Sequence, residues 1–224
     1  MRLYFLRLGT VPKLGAPVPG YLIRCPDGTN VLVDTGAAPG GQIQVGPEDD
    51  PVARLAAIGV APADVHYVIC SHLDPDHAGN HDRFPDAEFV IQEEHLALAR
   101  SGSVPRLLAA SQHWDAPGLR YRTVSGDTEL LPGIELIESS GHVGGHQSVL
   151  VRLPGRGPVL LAVDAIPMGA ALDADTRPIF PFDLEEDRVR ASTKKLVALA
   201  EAEGALLVRG HDAEQWATLP AFVE

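Results

Sequence analysis

The sequence predicts a four-layer α/β/β/α sandwich, and three observations carry that prediction. Short apolar strands come in two runs, each run is followed by helical periodicity, and no linker or low-complexity stretch divides the 224 residues. A content of 45% apolar residues suffices for one buried core, so residues 1–224 are expected to form a single domain.

In chain order, Arg2–Leu8, Gly20–Cys25 and Asn30–Val33 read as an antiparallel meander, with Pro26-Asp27-Gly28 turning between the last two. From Asp50 to Gly59 the apolar residues Val52, Leu55, Ala56 and Ile58 fall at helical spacing, with Pro51 in the first turn and Gly59 closing it. Strand Tyr67–Cys70 follows, then the polar loop Ser71–His81, strand Glu88–Gln92 and helix Glu93–Arg100. The second half repeats the plan. Strands Leu119–Val124, Ile134–Glu138, Ser148–Leu153 and Val159–Val163 precede a helix over Glu185–Glu203 that Gly204 ends, and Ala205–Val208 is the last strand. Side chains that do chemistry are then expected on loops at one edge of the sandwich, where strand ends from both halves meet.

Thirty acidic against eighteen basic side chains leave a formal charge of −12, which repels phosphate backbones and anionic lipid. Neither nucleic acid nor membrane is an expected partner. Cys25 and Cys70 lie in apolar runs, where a thiol behaves as a small hydrophobe; a disulfide scaffold is excluded and a cytoplasmic location is expected. Met1–Leu6 is too short and too broken by Arg2 and the following Arg7 for a signal-peptide core, so the chain reads as soluble and unprocessed.

Composition does not explain the nine histidines. His72, Asp74, Asp76 and His77 follow an apolar strand within six residues, and a chain leaving a strand can bring 72, 74 and 76 together while 77 points to a neighbouring position. Any one of them reads best as a solvated turn residue, but four with Gly79 and Asn80 read better as a loop feeding two metal ions. Ser140-Gly141-His142-Val143-Gly144-Gly145-His146, Val163-Asp164-Ala165 and Arg209-Gly210-His211-Asp212 each put a histidine or carboxylate at a strand end. His66, His95 and His113 read as packing or surface residues.

With those motifs, plus Val33-Asp34-Thr35-Gly36 and the run Gly210 to Gln215, the chain resembles the metallo-β-lactamase superfamily over nearly its whole length, and most of all its N-acyl-homoserine lactonase branch. The resemblance implies two divalent ions, Zn2+ first, with Mn2+, Fe2+ or Co2+ as alternatives. It implies His72 and His142 on the first ion, Asp76, His77 and His211 on the second, and Asp164 bridging. It implies a hydroxide between the ions attacking a lactone carbonyl, with Asp76 or Asp164 as the catalytic proton carrier. Asp34 would orient a ligand histidine, a role set against that of a simple turn aspartate, and His146 would support rather than ligate.

Three departures stand out. Asp74 occupies the place of the second loop histidine; it can ligate as a carboxylate, which shifts preference toward harder ions. Three carboxylates and a hydroxide would neutralise two dications and weaken their Lewis acidity. Alternatively Asp74 turns away and His81 replaces it, or only one ion is held. Pro167 stands where lactonases of this branch carry a tyrosine, and the loop Ala37–Asp50 is shorter than theirs. Phe180, Phe182 and Met168, with Leu172 and Val11, are the candidate acyl-chain wall; plain packing is favoured for Phe182 and disfavoured for Phe180. The expected function is a quorum-quenching lactonase that opens a lactone ring, N-acyl-homoserine lactone first, its partner a small-molecule lactone or ester, with a homodimer compatible. A thioesterase or glyoxalase-II-like hydrolase, or a degenerate metal- or ligand-binding member, is the alternative.

Overall fold

The computed structural model describes residues 1–224. Its elements are β1 (Arg2–Val11), β2 (Ala16–Arg24), β3 (Asn30–Val33), α1 (Pro51–Ala56), β4 (Tyr67–Ile69), β5 (Glu88–Gln92), α2 (Glu93–Ser101), α3 (Pro105–Leu108), α4 (Ser111–Trp114) and β6 (Arg120–Val124) in the first half. The second half contains β7 (Thr128–Leu131), β8 (Ile134–Glu138), β9 (Gln147–Leu153), β10 (Gly157–Val163), α5 (Glu186–Glu203), β11 (Leu206–Arg209), α6 (Ala213–Trp216) and β12 (Phe222–Val223).

Seven strands form one sheet in the order β12-β1-β2-β3-β4-β5-β6, and five form the other, β11-β10-β9-β8-β7. Three separate apolar clusters occupy the three interfaces that four layers require. Leu55, Val68, Phe89, Leu96 and Trp114 pack α1, α2 and the 105–114 segment onto the first sheet. Tyr21, Val33, Ile69, Val149 and Leu161 fill the space between the sheets. Leu150, Leu160, Ala162 and Leu196 seat α5 on the second sheet. The parity of each strand explains this: Val68 enters the outer cluster while its neighbour Ile69 enters the inner one.

Strand direction then decides where loops gather. The pairs β3·β4, β4·β5 and β10·β11 are parallel, while β8 and β10 both run antiparallel to β9. The carboxyl ends of β3 and β4 therefore share one edge of their sheet, as those of β8, β10 and β11 do in the other. The residues after each of these five strands are the histidine- and aspartate-bearing segments.

Several elements differ from the expectation. β2 begins at Ala16, ahead of Gly20, even though it includes Pro17 and Pro19. β3 pairs with β2 only over Tyr21–Arg24, so the proline stretch has β1 alone as partner and no ladder bond is lost on the other side. β7, α3, α4, α6 and β12 are all of two to four residues. At that length no periodicity exists to be read, and tertiary contact forms them.

Candidate metal centre

Ser71–His81 is folded back on β3 by side chain and backbone together. The Ser71 amide donates to Asp34 Oδ1 at 2.8 Å, the Asn80 side-chain amide donates to the Thr35 and Ala37 carbonyls at 3.0 Å each, and the Gly79 amide donates to Gly36 O at 2.8 Å. A Cβ at position 79 would stand 2.2 Å from Ala38 N, so only glycine permits this approach. Two non-glycine residues have left-handed backbone, Asp34 at φ 57° and Val163 at φ 49°. For β-branched Val163 that conformation costs on the order of 1–3 kcal/mol. It falls where the β10·β11 register shifts, one residue before Asp164, and turns the chain so that Asp164 enters the site.

The structure brings seven sequence-predicted residues to one point, in three groups of close donor atoms: His72, Asp74 and His142; Asp76, His77 and His211; and His72, His77 and Asp164. Asp164 divides its oxygens between the first two. Oδ1 lies 3.0 Å from His211 Nε2 and 3.4 Å from His77 Nε2, whereas Oδ2 lies 3.6 Å from His142 Nε2 and 3.9 Å from His72 Nε2. Asp74 Oδ2 is 3.0 Å from His142 Nε2 and 3.4 Å from His72 Nε2. Asp76 Oδ2 is 3.7 Å from His77 Nε2 and 3.9 Å from His211 Nε2.

Each histidine is held by its other nitrogen. His77 Nδ1–H donates to Asp34 Oδ2 at 2.8 Å, and His211 Nδ1–H to the Pro17 carbonyl at 2.8 Å. His142 Nδ1–H donates to Asp183 Oδ1 at 3.2 Å. The Ser71 hydroxyl donates to Asp34 Oδ2 at 2.6 Å and so accepts from His72 Nδ1–H at 2.9 Å. All four rings thus turn Nε2 inward, the arrangement metal ligation requires. Asp34 thus contacts one histidine of the second triad directly and one of the first through Ser71.

The electrostatics agree with a cation site. Burial opposes charge on His77, but Asp164, Asp76 and Asp34 outweigh it and push the imidazole up to about 10. His142 rises to about 9, against burial, through Asp183, Asp74 and Asp164. Burial and the charge of His77 hold His72 low. Asp164 lies well below the usual carboxylate range, against its burial, because His211 and His77 face it. Meanwhile the buried atoms His72 Nε2, His77 Nε2 and Asp164 Oδ1 have no hydrogen-bond partner. Buried polar atoms without partners are costly, and three of them converging with carboxylates on one centre fit a pair of divalent ions. Nitrogen and carboxylate donors suit zinc, manganese, iron or cobalt.

Other expectations are corrected. His81 cannot replace Asp74: it is buried away from the centre, with Nδ1–H donating to the Tyr121 hydroxyl at 3.1 Å and its ring against Phe89. Burial drives it down to about 3. Phe180 and Phe182 differ from the packing expected of them. Phe180 packs under α5 with the third apolar cluster, while Phe182 is 62% exposed. The tight turn between them is the reason, since the Phe180 amide donates to Asp183 Oδ2 at 2.9 Å and the Asp183 amide to Phe180 O at 2.9 Å. Val11 packs on the first cluster. His146 donates from Nδ1 to Ser139 Oγ at 2.9 Å, and His95 joins the two loops, accepting from the Leu73 amide and donating to Gly144 O.

Three functional residues were not singled out from sequence. Asp183 braces His142 and is itself bound by buried Arg177, whose Nη1–H donates to Ala165 O at 2.7 Å. Arg106 reaches Asp74, with Nε 2.7 Å from Oδ1. No motif marks them.

The profile of the metallo-beta-lactamase superfamily matches residues 15–211. An N-acyl homoserine lactonase AttM of Azorhizobium caulinodans is 36% identical over 232 residues, spanning 92% of this chain and 84% of the relative. An AttM of Rhizobium johnstonii is 34% identical over 258 residues, 97% and 95% of the two chains. Among solved structures, a mutant of B. thuringiensis AiiA with N-decanoyl-L-homoserine bound at its active site superposes with a TM-score of 0.86 at 26% identity, covering 98% of this chain and 96% of that one. An N-acyl homoserine lactone hydrolase with N-hexanoyl-L-homoserine at its catalytic metal centre matches equally, at a TM-score of 0.86, 26% identity and the same coverage.

Proposed function

The chain belongs to the metallo-β-lactamase superfamily, and from that premise we propose that it is a metal-dependent hydrolase that opens the ring of N-acyl-homoserine lactones. The observation that carries the reading is the pair of inward-facing triads sharing Asp164, in a chain similar to lactonases over more than nine-tenths of its length. His72, Asp74 and His142 would hold one ion, Asp76, His77 and His211 the other, and Asp164 both. Bound there, two divalent ions, zinc first, would supply Lewis-acid polarisation of the ester carbonyl and an ionised water at neutral pH.

The protein's own part is orientation and proton handling. Asp76 is the most exposed carboxylate of the centre, 22% against 11% for Asp164. That exposure supports Asp76, ahead of Asp164, as the carboxylate that would carry a proton from the nucleophile to the leaving alkoxide. Pro167 brings no hydroxyl to the substrate; its carbonyl accepts from the His211 amide at 2.8 Å and fixes that ligand's loop. Phe182 stands next to Asp183, the brace of His142, so its exposed ring supports the reading of an acyl-chain contact there, with Met168 on the segment after Asp164. Both cysteines are free, which accords with a cytoplasmic enzyme, and no helix is long and apolar enough to cross a membrane.

Turnover of a panel of homoserine lactones and S-acyl glutathiones by protein of measured metal content tests this. Lactone hydrolysis should dominate. Each added methylene should raise kcat/KM by up to about 0.8 kcal/mol of binding until the contact is full, and Phe182→Ala should flatten that climb. Preferred cleavage of the thioester would favour the glyoxalase-II-like alternative. No lactone turnover with both ions bound would reject the proposal.

A further inference from the structure

Arg106 lies outside every motif of the metal loops, yet its guanidinium ends on two of them. α3 is fixed by Leu107, buried in the first apolar cluster, and by Trp114, whose Nε1–H donates to the Leu107 carbonyl at 2.8 Å. From that base Arg106 Nε reaches Asp74 Oδ1 at 2.7 Å and Oδ2 at 3.0 Å, and its Nη2–H donates to the His142 carbonyl at 3.2 Å. One side chain therefore ties the Asp74 loop to the His142 loop. It does so without withdrawing Asp74, whose Oδ2 stays 3.0 Å from His142 Nε2 and 3.4 Å from His72 Nε2. This is no surface pair, since the Asp74 side chain is 8% exposed and that of Arg106 23%.

Charge shows what the contact does. Asp74, Asp76 and Asp164 bring three negative charges to a centre where an imidazole at position 74 would leave two. One guanidinium against Asp74 brings the total back to two, so the weakened Lewis acidity expected of three bare carboxylates does not follow. A buried carboxylate and guanidinium at this distance compensate each other far more than a solvated pair.

We propose that Arg106 is a positioning residue of the first subsite: it grips Asp74 so that Oδ2 faces His72 and His142, and it offsets the added carboxylate charge, so that two histidines and one carboxylate hold a divalent ion together with Asp164. The inference rests on the binuclear reading above.

The test compares the wild type, Arg106→Gln, Arg106→Lys, Asp74→His and Asp74→His/Arg106→Gln, each confirmed folded by circular dichroism. Zinc stoichiometry is measured by elemental analysis and affinity by competition with a chromophoric chelator. The wild type should hold about two ions. Arg106→Gln should keep one and weaken the other by about 10–100-fold, as losses of ligand-supporting groups do, with Arg106→Lys in between. Asp74→His should also bind weakly, because it leaves the guanidinium unpaired beside a dication, and removing Arg106 in that background should strengthen binding. The opposite effect of one substitution in two backgrounds is what a merely structural arginine would not give. Unchanged affinity in Arg106→Gln, or a gain there, would overturn the role of Arg106 and leave the metal centre standing. A wild type without bound ions would overturn both.

Discussion

The two triads have the same donor types in different settings. The second, Asp76, His77 and His211, is braced by Asp34 and by the Pro17 carbonyl, with Asp76 its most exposed member. The first, His72, Asp74 and His142, is enclosed and is braced by Ser71, Asp183 and Arg106, from segments scattered over more than a hundred residues. The difference teaches that the second half is held by a backbone carbonyl and by Asp34, which also reaches the first half through Ser71, whereas the first half adds two charged side chains that serve it alone, Asp183 and Arg106.

Asp164→Asn should break the comparison altogether, because each oxygen serves one triad. We expect loss of ions from both subsites and of hydrolysis with them, measured by elemental analysis and lactone turnover; retention of one full ion would show that Asp164 serves a single subsite. A second pair of variants should separate the halves. Asp183→Asn touches His142 alone among the candidate ligands and should weaken one ion by about 10–100-fold, while Asp34→Ala loosens His77 directly and His72 through Ser71 and should weaken both. Chelator competition reads the two phases, and equal losses in both variants would erase the asymmetry.

The smallest effect concerns His81, the loop histidine that serves neither triad and so acts as the control. Its folded pKa of about 3 lies below the ordinary 6.5, so between those values the unfolded chain binds the proton and the folded one does not. Its contribution to stability is therefore full above about pH 6.5 and falls as the pH drops toward 3, on the order of a few kcal/mol in all. In chelator-treated protein, denaturant titrations of His81→Gln should show a shallower acid loss than the wild type. Parallel curves would contradict the buried, neutral assignment.

Much of the centre was legible because its information is local. A strand of apolar residues followed at once by His72, Asp74, Asp76 and His77 states both where the ligands sit and which way the chain must turn, and Asp164 and His211 follow β10 and β11 in the same manner. What a strand end presents is fixed within a few residues. By contrast, Asp183 and Arg106 carry no such context, and their partners lie at His142 and Asp74, 41 and 32 residues away. The choice between Phe180 and Phe182 turned on a hydrogen-bonded turn that places one ring under α5 and the other outside.

The sequence by itself therefore pointed to the layers, through two runs of strands each followed by helical spacing, and to the candidate ligands at strand ends, with Asp74 and His81 left as alternatives. Only the tertiary structure decided that Asp74 stays in the centre, that His81 is shut out of it, and that Arg106 supplies the compensating charge. The physical reason is that periodicity and turns act between neighbours along the chain, whereas the pairing of a buried charge is settled by whichever group the packed layers bring within about 3 Å of it.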